Sequence, residues 1–230
     1  MVRITKDKNV YIKILYWGPA SGGKTTAVDT LFNICLEQDK EVKPTGNLVK
    51  IDMSSGATLY FDRGIFQSRK ETNIYFHCYT VAGQKRFQPL RKKVFIGTDG
   101  VIFVADSQRS RLQDNIDGLK ELKRVAAGDL IKKIPILVML NKRDLDDLIS
   151  VEEWEEIMKD EGLLLPQSHE LALWNPITYE TVALPGQKQK NIYPIFSELA
   201  RRCIMYQVYG EDGKAPPTTP PNLPPDVPDL

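Results

Sequence analysis

The sequence predicts an α/β fold: a mostly parallel central sheet with helices on both faces. Three observations carry this. β-rich runs alternate with segments of helical spacing through residues 1–209, the pattern left by strand–helix–strand crossovers. Residues 101–105 and 134–140 are short and continuously apolar, as strands covered on both faces are. The first apolar run, 10–17, ends at a glycine and is followed by a helical pattern, so a strand, a Gly-rich turn and a helix come in direct succession.

In chain order, residues 10–17 read as the first strand. Residues 26–36 read as a helix, with Ala27, Leu31, Ile34 and Cys35 on one face. Residues 39–57 are polar and Gly-containing and read as a long functional loop. Residues 58–62 and 73–80 are β-rich, and 101–105 is a buried strand. In 109–127, Leu112, Ile116, Leu119, Leu122, Lys123 and Ala126 recur at helical steps. Residues 134–140 are a second buried strand. Ser150 and Glu153 form a capping box that opens a helix over 151–158. Residues 160–190 contain Trp174-Asn175-Pro176 and Leu184-Pro185-Gly186 and read as partly irregular, and 191–209 closes the domain as a helix. The expected organisation is therefore one domain over 1–209 and a disordered or extended tail over 210–230. That tail holds seven prolines and almost no large apolar residue, so it is not expected to fold back on the core. Pro-rich segments can also serve as ligands for aromatic-lined grooves.

The 230 residues are 42% apolar and 27% charged, the balance of a globular protein. Thirty-one basic against 30 acidic residues leave a net charge of +1, which does not suggest nucleic acid as a partner. The three cysteines, Cys35, Cys78 and Cys203, lie in apolar stretches and read as buried thiols. Only His77 and His169 are present, a poor basis for a histidine metal site. No apolar run approaches the length of a membrane span and no signal segment opens the chain, so a cytoplasmic location is expected. Val2 excludes N-myristoylation, the last residues hold no cysteine, and residues 1–9 are too short and mixed for an amphipathic anchor. No lipid anchor is expected.

The chemistry begins at Gly18-Pro19-Ala20-Ser21-Gly22-Gly23-Lys24-Thr25, which matches the phosphate-binding pattern G-x-x-x-x-G-K-[ST] between a strand and a helix. Backbone N–H groups from Ala20 through Thr26 converge on phosphates, aided by the positive end of the helix dipole. Lys24 can reach the β- and γ-phosphates, and the Thr25 hydroxyl can ligate Mg²⁺. Asn141-Lys142-Arg143-Asp144 follows a buried strand, so it sits at a carboxyl end, where open α/β sheets bind ligands. The Asp144 carboxylate can accept hydrogen bonds from N1–H and the 2-amino group of guanine. Adenine offers neither donor. Asn141 can brace the phosphate loop and the Lys142 stem can lie over the base. In Thr80-Val81-Ala82-Gly83-Gln84, the Gly83 N–H can approach a γ-phosphate and Gln84 can orient the attacking water.

With these motifs in this order, residues 10–209 resemble the Ras-like small GTPases, a P-loop NTPase fold. More narrowly they resemble the MglA-like prokaryotic branch, through Tyr16-Trp17-Gly18-Pro19, Thr58-Leu59-Tyr60-Phe61-Asp62, Tyr79 to Gln84, Asp99 to Ser107 and Asn141 to Leu145. The resemblance implies a switch that binds GTP and GDP with Mg²⁺, with segments 39–62 and 83–95 sensing the γ-phosphate. It implies Thr58 as the switch threonine on the metal, with Thr45 as the alternative. Most Ras-like proteins have Asp where this chain has Thr80; Thr also occurs there in the branch, and Asp62 is the implied acidic substitute near the metal. The Ala183 N–H would meet guanine O6, although residue 184 is Leu rather than Lys. The residue before the switch threonine is often Arg in the branch and here is Ala57. Implied partners are an activator of the roadblock fold and an unidentified effector. A nucleotide-regulated binding module with negligible hydrolysis and an ATP-using P-loop phosphotransferase are the alternatives.

Overall fold

Successive residues of a strand face opposite sides of its sheet, so a strand buried on both sides must be apolar throughout. The computed structural model of the chain describes residues 3–4, 8–51, 61–83, 87–210 and 214–216, with the backbone alone at 3, 4, 50, 51 and 61–63. In chain order these form β1 (Arg3–Ile4), β2 (Val10–Trp17), α1 (Lys24–Glu37), β3 (Val42–Pro44), β4 (Val49–Ile51), β5 (Phe61–Ser68), β6 (Ile74–Thr80), α2 (Gln88–Phe95), β7 (Gly100–Asp106), α3 (Leu112–Ala126), β8 (Ile136–Asn141), α4 (Val151–Asp160), β9 (Thr178–Glu180) and α5 (Ile192–Val208).

The sheet order is β3-β5-β6-β2-β7-β8-β9, and the five strands from β6 to β9 are parallel. β3 and β4 line one edge of β5, and β1 pairs with the start of β2, all antiparallel. Ile12, Ile14, Tyr16, Ile102, Val104, Leu137 and Met139 face α1 and α5, where Leu31, Phe196 and Leu199 meet them. Leu15, Trp17, Val101, Phe103, Val138 and Leu140 face α3 and α4, against Leu119, Leu122 and Trp154. Each such large side chain contributes about 1.5–3 kcal/mol by leaving water. The fold is thus the small G domain architecture that the motifs predicted. Because β6 and β7 flank β2, the chain leaves β2 to one side and returns on the other, opening a crevice above its carboxyl end.

The expected helices form with small shifts at their ends. Ser150 Oγ accepts from the Glu153 N–H at 3.1 Å, as the capping box requires. The 109–127 segment starts as a 3₁₀ turn, Arg109–Arg111, before α3. Other readings need correction. The stretch 39–57 holds the edge strands β3 and β4; Pro44 is tolerated because, among the described residues, only one side of β3 is paired. The reading of 160–190 as partly irregular holds, with a 3₁₀ turn, Ala172–Trp174, and the parallel edge strand β9 set within irregular chain. The expectation that the tail does not return is wrong at residues 214–216. Ala215 is buried in the core, its N–H donates to Lys132 O at 2.6 Å, and the Trp174 indole donates to Pro216 O at 2.5 Å. A buried indole N–H needs an acceptor, and a proline carbonyl supplies one.

Candidate functional site

The phosphate loop is held open by conformations that side chains resist. Gly18 (φ +145°) and Gly23 (φ +100°) are both in the region that favours glycine. A Cβ on Gly18 would lie 2.1 Å from Val104 O, and one on Gly23 would lie 2.2 Å from Asn141 Nδ2. The loop delivers the chain into α1, whose first turn carries no acidic residue, so its positive end is not offset. Lys24 is 7% exposed, and its ammonium donates to Gly18 O at 3.0 Å and Pro19 O at 2.5 Å. Thr25 beside it is exposed.

Burial, and then the Arg91 charge, lower the Lys24 pKa from 10.5 to about 7. A bound phosphate favours the ammonium and raises that pKa again, so nucleotide binding takes up a proton above pH 7. GDP affinity is therefore expected to fall as pH rises from 7 to 8.5, by at most about tenfold per unit. Below about pH 6, Lys24 is protonated in both states and adds no slope. Titration with a fluorescent GDP analogue in EDTA checks this. Lys24→Ala should bind more weakly and lose the slope, whereas a flat wild-type profile would contradict the assignment.

Asn141, 2% exposed at the end of β8, joins two loops. Its Nδ2 donates to Gly22 O at 2.9 Å, while its Oδ1 accepts from Ala183 N at 3.0 Å and Thr181 Oγ1 at 3.3 Å. Beside it lies a pocket of about 160 Å³ lined by Ser21, Gly23, Thr26, Asn141, Lys142, Asp144, Leu145, Ala183 and Leu184. Asp144 is half-buried there and makes no hydrogen bond or ion pair to another described residue. The Lys142 ammonium is tethered 2.6 Å from Asp106 Oδ2, which fixes its stem along the pocket wall. The Ala183 N–H already serves Asn141, so a purine carbonyl must share it.

Gly83 lies on the other side of the phosphate loop. A Cβ there would come within 2.2 Å of Ala20 N and 2.3 Å of Pro19 C, so only glycine permits this approach. Thr80 is buried at the end of β6, opposite Tyr16 in register. Thr45 is tied to β5, its N–H donating to Ile65 O at 2.8 Å. Thr58, Gln84 and the Asp62 side chain lie outside the described residues, as do Ala57 and Arg86.

The structure thus gathers Ser21, Gly23, Thr26, Asn141, Lys142, Asp144 and Ala183 around one pocket, with Lys24 beneath the loop and Ala20 against Gly83. Sequence reasoning missed Thr181, Asp106 and Thr30, whose Oγ1 donates to Ala183 O at 2.7 Å. Each acts through a contact distant in sequence, so no local pattern marks it. All three thiols are buried, and burial pushes the Cys35 pKa up to about 12 and those of Cys78 and Cys203 well up. No helix among the described residues is long and apolar enough to cross a membrane.

The family model for the ADP-ribosylation factor family matches residues 1–180. The mutual gliding-motility protein MglA of Myxococcus xanthus is 34% identical over 168 residues, covering 68% of this chain and 80% of the relative. The human ADP-ribosylation factor-like protein 4A is 31% identical over 86 residues, 37% of this chain and 42% of that protein. The matched span carries the phosphate loop, Asn141, Asp144 and β9 together. The chain therefore belongs to the ADP-ribosylation factor family, as a GTP-binding small GTPase of the MglA-like prokaryotic branch.

Proposed function

We propose that the protein is a guanine-nucleotide switch that hydrolyses GTP to GDP and phosphate with Mg²⁺, slowly alone and faster with an activating partner. The observation that carries this is the Asn141 joint. One buried amide bonds both the phosphate loop and the loop carrying Ala183, with Asp144 in the pocket between. A ligand spanning the site has phosphates on one side and a base with paired donors on the other.

The donor chemistry suits Mg²⁺, because Thr25 offers an exposed hard oxygen at the start of α1, whose first turn carries no acidic residue. Thr25, Thr58 and Asp62 would hold the ion, directly or through water, and it would neutralise charge on the phosphates. Lys24 binds the phosphates, Gly83 presents its N–H to the γ-phosphate, and Gln84 orients water. Asn141, Lys142, Asp144 and Ala183 hold the base. Segments 39–62 and 83–95 report the γ-phosphate to an effector, and an activator of the roadblock fold supplies a cation or orders Gln84. The proposal places this in the cytoplasm, with no nucleic-acid partner. A second reading, a binding module with negligible hydrolysis, is favoured by Ala57, where the branch often has Arg.

An arginine aimed at the transferring group is worth roughly 10³–10⁵ in rate, and the chain has none between Thr25 and Arg63. Single-turnover hydrolysis with Mg²⁺ is therefore expected to run far below the ~1 s⁻¹ of partner-assisted enzymes. Gln84→Ala should lower it further and Arg86→Ala should leave it unchanged. Turnover near that rate without a partner would overturn the proposal; if Arg86→Ala abolished it, Arg86 would be the internal cation.

A further inference from the structure

Two arginines converge on the phosphate loop from the side opposite the base pocket. Arg91 of α2 is 3% exposed, forms a 2.6 Å ion pair with Glu121 of α3, and donates from Nη1 to Gly83 O at 3.2 Å. Its guanidinium lies over the Trp17 ring, 5.5 Å from the centroid, and the Trp17 indole donates to Gly118 O of α3 at 3.1 Å. Arg111, at the head of α3, donates from Nη2 to Ala20 O at 3.2 Å and pairs through Nη1 with Asp114 at 2.8 Å. Gly83 packs against the Pro19–Ala20 peptide, so closely that a Cβ on it would lie 2.2 Å from Ala20 N and 2.3 Å from Pro19 C. Each arginine therefore holds a carbonyl of a residue at that contact, Arg91 that of Gly83 and Arg111 that of Ala20, and each is oriented by an acid on α3. Asp114, Gly118 and Glu121 stand at i, i+4 and i+7, one stripe of the helix.

We infer that Arg91 and Arg111 are positioning residues, a two-armed clamp that fixes Gly83 against the phosphate loop and so sets where its N–H meets a γ-phosphate. This rests on the guanine-nucleotide reading above. A guanidinium suits the task because its planar fork can serve a carboxylate and a carbonyl at once, which an ammonium point charge cannot. The clamp lies around a cavity of about 370 Å³ that shares no lining residue with the base pocket. It should therefore act on γ-phosphate recognition and leave GDP binding alone.

Removing Arg91 alone would strand a buried Glu121, so the informative variant is Arg91→Leu with Glu121→Leu, which replaces the pair by apolar groups and usually preserves the fold. The half-exposed Arg111→Ala is the second variant. The readouts are Tm, GDP affinity, the affinity ratio of a non-hydrolysable GTP analogue to GDP, and single-turnover hydrolysis, all with Mg²⁺ and at about pH 6, where Lys24 is protonated with or without the Arg91 charge. The double variant is expected to keep Tm and to keep GDP affinity within about threefold. Its GTP-analogue-to-GDP ratio should drop at least about fivefold and hydrolysis at least about tenfold. Arg111→Ala should shift the ratio in the same direction by a smaller factor, and Arg91→Lys should not restore it. An unchanged ratio in both folded variants would overturn the clamp, as would an equal loss of GDP and analogue affinity. A wild type that binds no guanine nucleotide would instead sink the underlying reading, and the clamp with it.

Discussion

Replacing Asp144 with asparagine is expected to move the preference of the protein from guanine to xanthine nucleotides. The Asp144 carboxylate is a pure acceptor set, half-buried in the pocket beside Asn141. Guanine presents two donors to it. An asparagine turns one acceptor into a donor, which faces the 2-amino group donor to donor. Xanthine carries a carbonyl at that position and restores the pairing. Sites built on such paired bonds reject a ligand that cannot complete them by about 10⁴, so GDP affinity should fall by roughly 10³–10⁴ and that for xanthosine diphosphate should rise. Displacement of a fluorescent GDP analogue measures both. Unchanged GDP affinity in Asp144→Asn would remove Asp144 from the base site.

Asn141→Ala is expected to damage binding and stability together. Its amide satisfies the buried Gly22 carbonyl and the Ala183 N–H and receives the Thr181 hydroxyl. Alanine leaves these groups without that partner, at about 1–3 kcal/mol for each one that stays buried. It also frees the phosphate loop from the base loop, so guanine and phosphate no longer meet a preset spacing. GDP affinity should fall by about 10² or more, since each 1.4 kcal/mol is tenfold. A thermal melt with and without GDP separates the effects. A variant with normal melting and normal GDP affinity would show that the joint is not needed.

The sequence was legible where one local chemistry demands particular residues in a row. A backbone cradle for phosphate needs glycines at fixed offsets, so Gly18, Gly23 and Lys24 declare themselves, and a strand buried on both faces must be apolar throughout, as β7 and β8 are. Alternation of such runs with helices marks parallel crossover units, so the mostly parallel sheet was legible as well. Legibility failed where partners are distant. α2 fully buries only Arg91 and Phe95, one of them charged, so it shows no clear apolar stripe. The short strands β3, β4 and β9 are too brief to show alternation and are ordered by pairing with longer strands. Thr30 reads as one more helix residue until Ala183, 153 positions away, is seen to accept from it. The return of Ala215 and Pro216 depends on Trp174 and Lys132, which no property of a proline-rich tail foretells.

The central claim is that this phosphate loop and this base pocket together select a guanine nucleotide. The direct test is equilibrium competition on the wild-type protein, with GDP, GTP and ATP displacing a fluorescent GDP analogue in Mg²⁺. The account predicts that GDP and GTP displace it at similar concentrations and that ATP needs at least about 10³-fold more, because adenine leaves the Asp144 carboxylate unpaired. ATP displacing the probe within about tenfold of GTP would contradict it.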